Sequence, residues 1–577
     1  MYLEGLNIKP LQQLVDAAIG RRKADLILKN ATIFNVFTGE FFKGDVAVAG
    51  GYIAGVGRYE GVREIDVSGK YVTPGFFDAH VHIESAMVSP FQFARAVVAN
   101  GTTSVAADPH EIANVLGIEG IRYMLTATER LPLNTYVMLP SCVPSTELEH
   151  SGAKLSAQEL EQFLCHPRVL GLGEVMDYPG VLTCKREVLE KLQLVSGRRI
   201  DGHAPGLSGK ELTAYIVAGV NSDHECVTPE EATERLAQGM HIMLREGSAV
   251  KNLRQLLPAV TARTMPLCML ATDDRHPEDL QNEGHINHLV RLAIEAGTDL
   301  SWTLTMATKN AADYFGIPDV GAIAPGYKAD ILVFDNLKDW RPIMVFKDGQ
   351  LVAENGQVLF EEVQQVSQTV KNSMHLGEIT AEKLRISAMS STARVIDLVP
   401  RQLVTRLVET QVARVGEEFV AEPERDILKL AVWERHHATG HVGVGLLRGL
   451  GLSRGAIAST VAHDAHNVIV VGACDEDMIL AVRELERIGG GIAITGQNKV
   501  LGSLALPLAG LMSQQDIGWV SLELAKLHDL ARQLGVKEEY DPFMTLAFLS
   551  LPVIPEAKLT DAGLVDVIRF QLVPVSV

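Results

Sequence analysis

A chain of 577 residues exceeds what a single hydrophobic core serves, so two or three domains are expected. The balance of 47% hydrophobic and 21% charged residues is globular. The net charge of -19, from 52 basic and 71 acidic side chains, argues against a nucleic-acid backbone or an anionic membrane as partner. The six cysteines are scattered with no Cys-x-x-Cys, which fits free thiols in a reduced cytoplasm. The N-terminal MYLEGLNIKP lacks the apolar run of a signal peptide, and apolar runs such as Val468–Val471 are too short to span a bilayer.

Residues 1 to 22 read as a helical lead-in, with Leu11, Leu14, Val15 and Ala18 at helical spacing. From Ala24 short alternating runs, broken by Gly and Asn turns, predict a small β domain that is incomplete by residue 73. Its continuation is expected at 321–370, where Ala329–Asn336 echoes Ala24–Asn30 and Ile343–Gly349 echoes Asp45–Gly51. Between the flanks, 74–320 holds eight strand candidates: FFDAHVH, TTSVAADPH, NTYVMLPS, VLGLGEVMD, RRIDGHAP, VNSDHE, HIMLREG and PLCMLATDD. Helical stretches separate most of them, which predicts a (β/α)8 TIM-like barrel inserted in a split β-sandwich. A polar stretch near Val366 to His375 reads as a linker, and 375–577 as a C-terminal domain of α/β character.

The chemistry-bearing residues fall at the C-terminal ends of the barrel strands, where such barrels place their sites. His80 and His82 sit two apart on a strand and therefore project together. Asp108 with His110, Glu174, His203, His224 and Asp273 follow at later strand ends. Singly, each is more often structural. As an ordered set, imidazoles and carboxylates suit one or two divalent cations, with Glu174 as a bridge and Asp273 as ligand and proton acceptor.

This set resembles the amidohydrolase superfamily over residues 24 to 360. Within it, PGFFDAHVHIESAMVSP, ADPHEIANVLG, GLGEVMDYPGV, DGHAPGLSG, NSDHE and ATDDRHPEDL resemble the adenine deaminase family, and AHDAHNVIVVG and GGGIAITGQNKVLGSLALPLAGLMS extend the likeness into the C-terminal domain. The resemblance implies one metal on His80, His82 and Asp273, a second on His203 and His224, and Glu174 between them. It also implies two ions per subunit, Mn2+ or Fe2+ with Zn2+ possible, and a cytoplasmic homodimer. The implied reaction is hydrolysis of adenine to hypoxanthine and ammonia, with metal-bound hydroxide attacking C6. Glu174 stands where cyclic-amide hydrolases of the superfamily carry a carboxylated lysine, which disfavours them. An N-acetyl-sugar deacetylase, or a non-catalytic metal-binding homologue, is the alternative.

Around that centre, Glu111 is read as the acid facing the purine ring and His110 as polarising the substrate. Glu84 and Ser85 are read as substrate contacts, with helix capping as the plain alternative. The segment His463–Asn467 is read as a lid over the barrel mouth, with His466 touching purine edges; a hydrogen-bonded turn is its alternative. Arg275 and His276 either orient Asp273 or form a loop salt bridge. Gly443–Gly449 only superficially suggests a dinucleotide loop, and packing glycines are the simpler account.

Overall fold

The structure, a computed structural model, describes residues 8–361 and 368–577. The first seven residues of the lead-in, and Val366 and Ser367 of the linker, lie outside the described residues. The lead-in helix is Ile8–Ala18. It buries Leu14 and Ala17, whereas Leu11 and Val15 face outward.

Both flanks meet in one nine-stranded sheet. Strands Ala24–Asn35, Glu40–Ala49, Tyr52–Gly57, Gly61–Asp66 and Tyr71–Pro74 come from the N-terminal flank. Ile331–Phe334, Met344–Lys347, Gln350–Glu354 and Gln357–Val358 come from the far side of the insert. The join is Tyr71–Pro74 against Ile331–Phe334, antiparallel, with Leu332 opposite Thr73. The echo noted in the sequence therefore marks two halves of one sheet.

The insert folds as a TIM-like arrangement of eight parallel strands: Phe76–Val81, Thr102–Ala107, Asn134–Leu139, Val169–Val175, Arg199–Gly202, Ser222–Asp223, His241–Arg245 and Cys268–Ala271. The first five form one sheet and the last three another. The two sheets meet at both seams. The Asn221 N–H donates to the Ile200 carbonyl at 2.8 Å, and Val81 bridges Asp273. These strands are buried along both faces because the barrel interior and the surrounding helices cover them. The helices start where the sequence caps them: Thr228 and Glu231 form a reciprocal capping box, as do Ser156 and Glu159.

The C-terminal domain departs from the α/β expectation. Its eight-stranded sheet runs in the order Thr405–Gln411, Thr392–Leu398, Val442–Arg448, Ile427–Trp433, Val468–Gly472, Ala456–Ser459, Gly491–Gly496, Lys499–Ala505. It is antiparallel except where Thr392–Leu398 meets Val442–Arg448. Helices Asp475–Ile488 and Ile517–Gln533 pack on it. Alternating apolar strands and helices look alike in sequence for either arrangement; strand direction is set by the connections. Gly443 lies inside a strand, where a Cβ would come within 1.8 Å of the Thr560 carbonyl oxygen, so it is a packing glycine.

One apolar core continues from the barrel into this domain, joining Val81, Phe93 and Leu289 with Leu430, Ile469 and Leu546. Backbone bonds tie the two at the mouth, the Ser513 N–H donating to Met87 O and the Ser89 N–H to Ser513 O, each at 2.8 Å. Among the described residues no helix is long and apolar enough to cross a membrane.

Candidate metal centre

His80 is the last residue but one of the first barrel strand and His82 follows its end, both buried. The His82 Nδ1–H donates to the Asp108 carbonyl at 2.9 Å, which fixes the tautomer and leaves a lone pair on Nε2. That lone pair faces Asp273 Oδ1 at 3.1 Å, Glu174 Oε1 at 3.2 Å and His80 Nε2 at 3.1 Å. A lone pair buried against two anionic oxygens is repulsive unless a cation lies among them, so the donor set fits a divalent metal.

Glu174 divides its two oxygens. Oε1 lies 3.8 Å from His80 Nε2 and 3.2 Å from His82 Nε2. Oε2 lies 2.5 Å from His203 Nδ1 and 3.3 Å from His224 Nε2. The carboxylate is seated from below: its own backbone N–H donates to Asp108 Oδ2 at 3.0 Å. Gly173 permits this approach, because a Cβ there would fall 1.9 Å from the same oxygen. Burial alone would raise the Glu174 carboxyl, but His203 and His224 beside it hold it well below the usual range. Burial would lower His203; Glu225 and Glu174 instead push it up to about 9.

Asp273, in the left-handed region at φ 60°, turns Oδ1 toward His80 and His82. Its Oδ2 accepts from Arg245 at 2.7 Å. Against the upward pull of burial, Arg245 keeps Asp273 well below the ordinary carboxylate range. Arg245 also pairs with Glu225. Sequence reasoning missed both residues. The signal was present, since Arg245 ends the seventh strand and Glu225 follows His224 after the sixth. Arg275, weighed for this role, instead pairs with Glu283 at 2.5 Å in a loop salt bridge.

His110 sits at the edge of the cluster, its Nδ1 3.4 Å from Glu174 Oε1 and its Nε2 3.4 Å from Glu111 Oε1. Glu111 is met from the other domain by His463 at 2.7 Å and by His466. Burial would raise the Glu111 carboxyl; His463, His466 and His110 together hold it well below its ordinary value. His466 has both ring nitrogens engaged, since Nδ1 accepts the Ala462 N–H at 3.1 Å. Glu84 accepts the Ile112 N–H through Oε1 at 3.2 Å, and so caps helix His110–Leu116 rather than the helix that follows it in the chain. Burial pushes its carboxyl up to about 7. The Ser85 hydroxyl is bonded to Asp274. A cavity of 840 Å³ opens behind the loop Ser141–Ala157, lined by Cys142, Glu149 and Lys191, and none of the six candidate ligands lines it.

The barrel and its histidine–carboxylate cluster define an amidohydrolase: residues 71–352 match the Amidohydrolase family and residues 402–571 the Adenine deaminase C-terminal domain. Adenine deaminase 2 of Carboxydothermus hydrogenoformans is 62% identical over 569 residues, covering 99% of this chain and 100% of that protein. The adenine deaminase of Desulfatibacillum aliphaticivorans is 48% identical, covering 97% of this chain and 99% of that one. The chain belongs to the adenine deaminase family. Among solved structures, a β-aspartyl dipeptidase from Fervidobacterium islandicum aligns with 59% of this chain and 99% of its own at 18% identity and a TM-score of 0.45, a likeness too weak to carry an argument.

Proposed function

We propose that this protein hydrolyses adenine to hypoxanthine and ammonia with two divalent cations, one on His80, His82 and Asp273 and one on His203 and His224, with Glu174 shared. The observation that carries this reading is the division of Glu174, each oxygen turned to a different pair of imidazoles. Mn2+ or Fe2+ suits the nitrogen and oxygen donors, and Zn2+ fits them as well. When bound, such cations supply a water acidified toward neutrality.

The chain's own residues do the rest. Asp273, held as an anion by Arg245, takes the proton of the attacking water and passes it to the departing amine, which leaves as ammonia. Glu111 faces the purine ring with His463 behind it. Burial would lower His463, yet Glu111 pushes it up to about 9, so the pair stores the proton that a ring nitrogen needs as C6 becomes tetrahedral, and it takes one back from the C6 hydroxyl as the C–N bond breaks and the carbonyl forms. His110, between Glu111 and Glu174, polarises the substrate. Glu84 and Ser85 line the purine site from the barrel, and His466 reaches it through Glu111. The relatives' name, adenine deaminase, supports the substrate.

The same reading divides the chain into 1–73 and 321–370 as halves of a split β-sandwich, 74–320 as the barrel and 375–577 as the family's C-terminal domain. It describes a cytoplasmic homodimer with its cysteines reduced, all six being free. Elemental analysis coupled to ammonia release from adenine with added Mn(II) tests the proposal. About two metal equivalents and ammonia are expected. Deacetylation of an N-acetyl sugar without ammonia from adenine, or metal without turnover of any purine, would overturn it.

A further inference from the structure

The lid segment His463–Asn467 spends nearly all of its side-chain hydrogen bonding on holding the two domains together. His463 and His466 are taken by Glu111. Asn467 accepts the Arg435 N–H at 3.2 Å and donates to the His150 carbonyl at 2.7 Å. Asp464 is the exception. It is 2% exposed, and among the described residues its Oδ2 is buried without a hydrogen-bond partner. Its nearest cation, His463 Nδ1, stands 3.9 Å away from the other oxygen and is already bonded to Glu111. Its neighbour His463 bonds Glu111 at 2.7 Å, Glu111 lies 3.4 Å from His110, and His110 lies 3.4 Å from Glu174, so the segment that carries Asp464 packs against the metal centre from the opposite domain. A buried oxygen left unmatched is costly, and at a site mouth a ligand donor is the partner that would satisfy it.

Resting on the adenine reading, we infer that Asp464 accepts the imidazole-ring N–H of the free purine base and thereby excludes nucleosides. In a purine, C6 and N9 lie at opposite ends of the fused rings. With C6 presented to the water at the barrel centre, the five-membered ring points to the lid. A free base in its 9H form carries an N–H at N9 for a carboxylate to accept. A nucleoside carries carbon on N9, and that donor is gone. Of the buried side-chain oxygens on the lid, only Asp464 Oδ2 is left open, so the lid reads one feature and that feature is the glycosidic position.

The test compares adenine with 9-methyladenine on full-length, metal-loaded protein, by kinetics and by calorimetric binding. Wild type binds 9-methyladenine more weakly than adenine by about 10- to 100-fold, the range of a hydrogen bond to a charged group. Asp464→Ala raises the adenine KM by a similar factor while 9-methyladenine binds no worse than before, and Asp464→Asn, which keeps an acceptor, recovers part of the adenine affinity. Metal content is measured in each variant. Equal losses for the two ligands, or no loss for adenine, would overturn the assignment. If Asp464→Ala loses metal or fails to fold, the comparison is read in Asp464→Asn alone, where an unchanged ratio between the two ligands overturns it. Absence of ammonia from wild type with adenine instead strikes the proposed reaction, and the binding ratio still decides the role of Asp464.

Discussion

Two fully buried glutamates stand in different domains and are held for different reasons. Glu434, in the C-terminal domain, receives backbone N–H groups from His436 at 2.5 Å, His437 at 2.6 Å and Thr439 at 2.9 Å, and the Thr439 hydroxyl at 2.7 Å. Glu174, in the barrel, faces imidazoles on both oxygens. Both carboxyls end below their usual range against the pull of burial, Glu434 through amide and hydroxyl donors and Glu174 through His203 and His224. Backbone donors are permanent and close a turn. Imidazoles are exchangeable ligands, and their lone pairs need a cation. A buried carboxylate is therefore interpreted by the chemistry of its neighbours in space: Glu434 has His436, His437 and His441 just after it in the chain, whereas the histidines that face Glu174 come from other strands.

The largest effect that would sharpen this contrast is expected from Glu174→Gln. It removes one shared charge from the centre and should lower kcat by about three orders of magnitude, the scale of losing metal-assisted activation. Metal content should fall with it; a variant that keeps the wild-type metal content and full turnover would break the comparison. Arg245→Met comes next. Freed from its partner, Asp273 loses the contact that orients it and its carboxyl rises, so less of it is the anion that the proposed reaction needs, and kcat should drop about 10- to 100-fold, as for other groups that orient metal ligands. His466→Ala is expected to cost about 10-fold in kcat/KM, since Glu111 keeps only His463 from the lid; unchanged kinetics would remove the cross-domain contact from the reaction.

Glu434→Gln should leave metal content unchanged and lower stability by about 2 kcal/mol, because an amide nitrogen meets amides that had a charged acceptor. Thermal melting with elemental analysis checks both halves. The smallest effect concerns pH. Lys558 is buried and donates to the Leu403 carbonyl at 2.8 Å, and burial pushes it down to about 7. Its unfolded value is about 10.4. Between those values the unfolded chain binds the extra proton, so this group makes stability rise with pH and contributes its full penalty below about pH 7. Lys558→Met should flatten the rise in melting temperature between about pH 7 and 10.

How much was legible follows from chain distance. His80 and His82 are two residues apart on one strand, so alternation alone aims them together. Glu174, His203, His224 and Asp273 were legible because a barrel of repeated strand–helix units returns each strand end to one rim. Arg245 occupies such a rim position and was passed over because its charge reads as an ordinary surface arginine. The Glu111–His463 bond joins residues 352 apart in two domains, and no local pattern encodes it.

The sequence by itself determined the β flanks, the eight barrel strands and the polar residues at their ends, because periodicity and strand ends are local properties. Only the tertiary structure decided that the C-terminal sheet is antiparallel, that Arg245 rather than Arg275 holds Asp273, and that the lid turns Asp464 inward with an open oxygen. Those depend on which surfaces bury one another, and burial sets both the cost of an unmatched charge and the identity of the group that satisfies it.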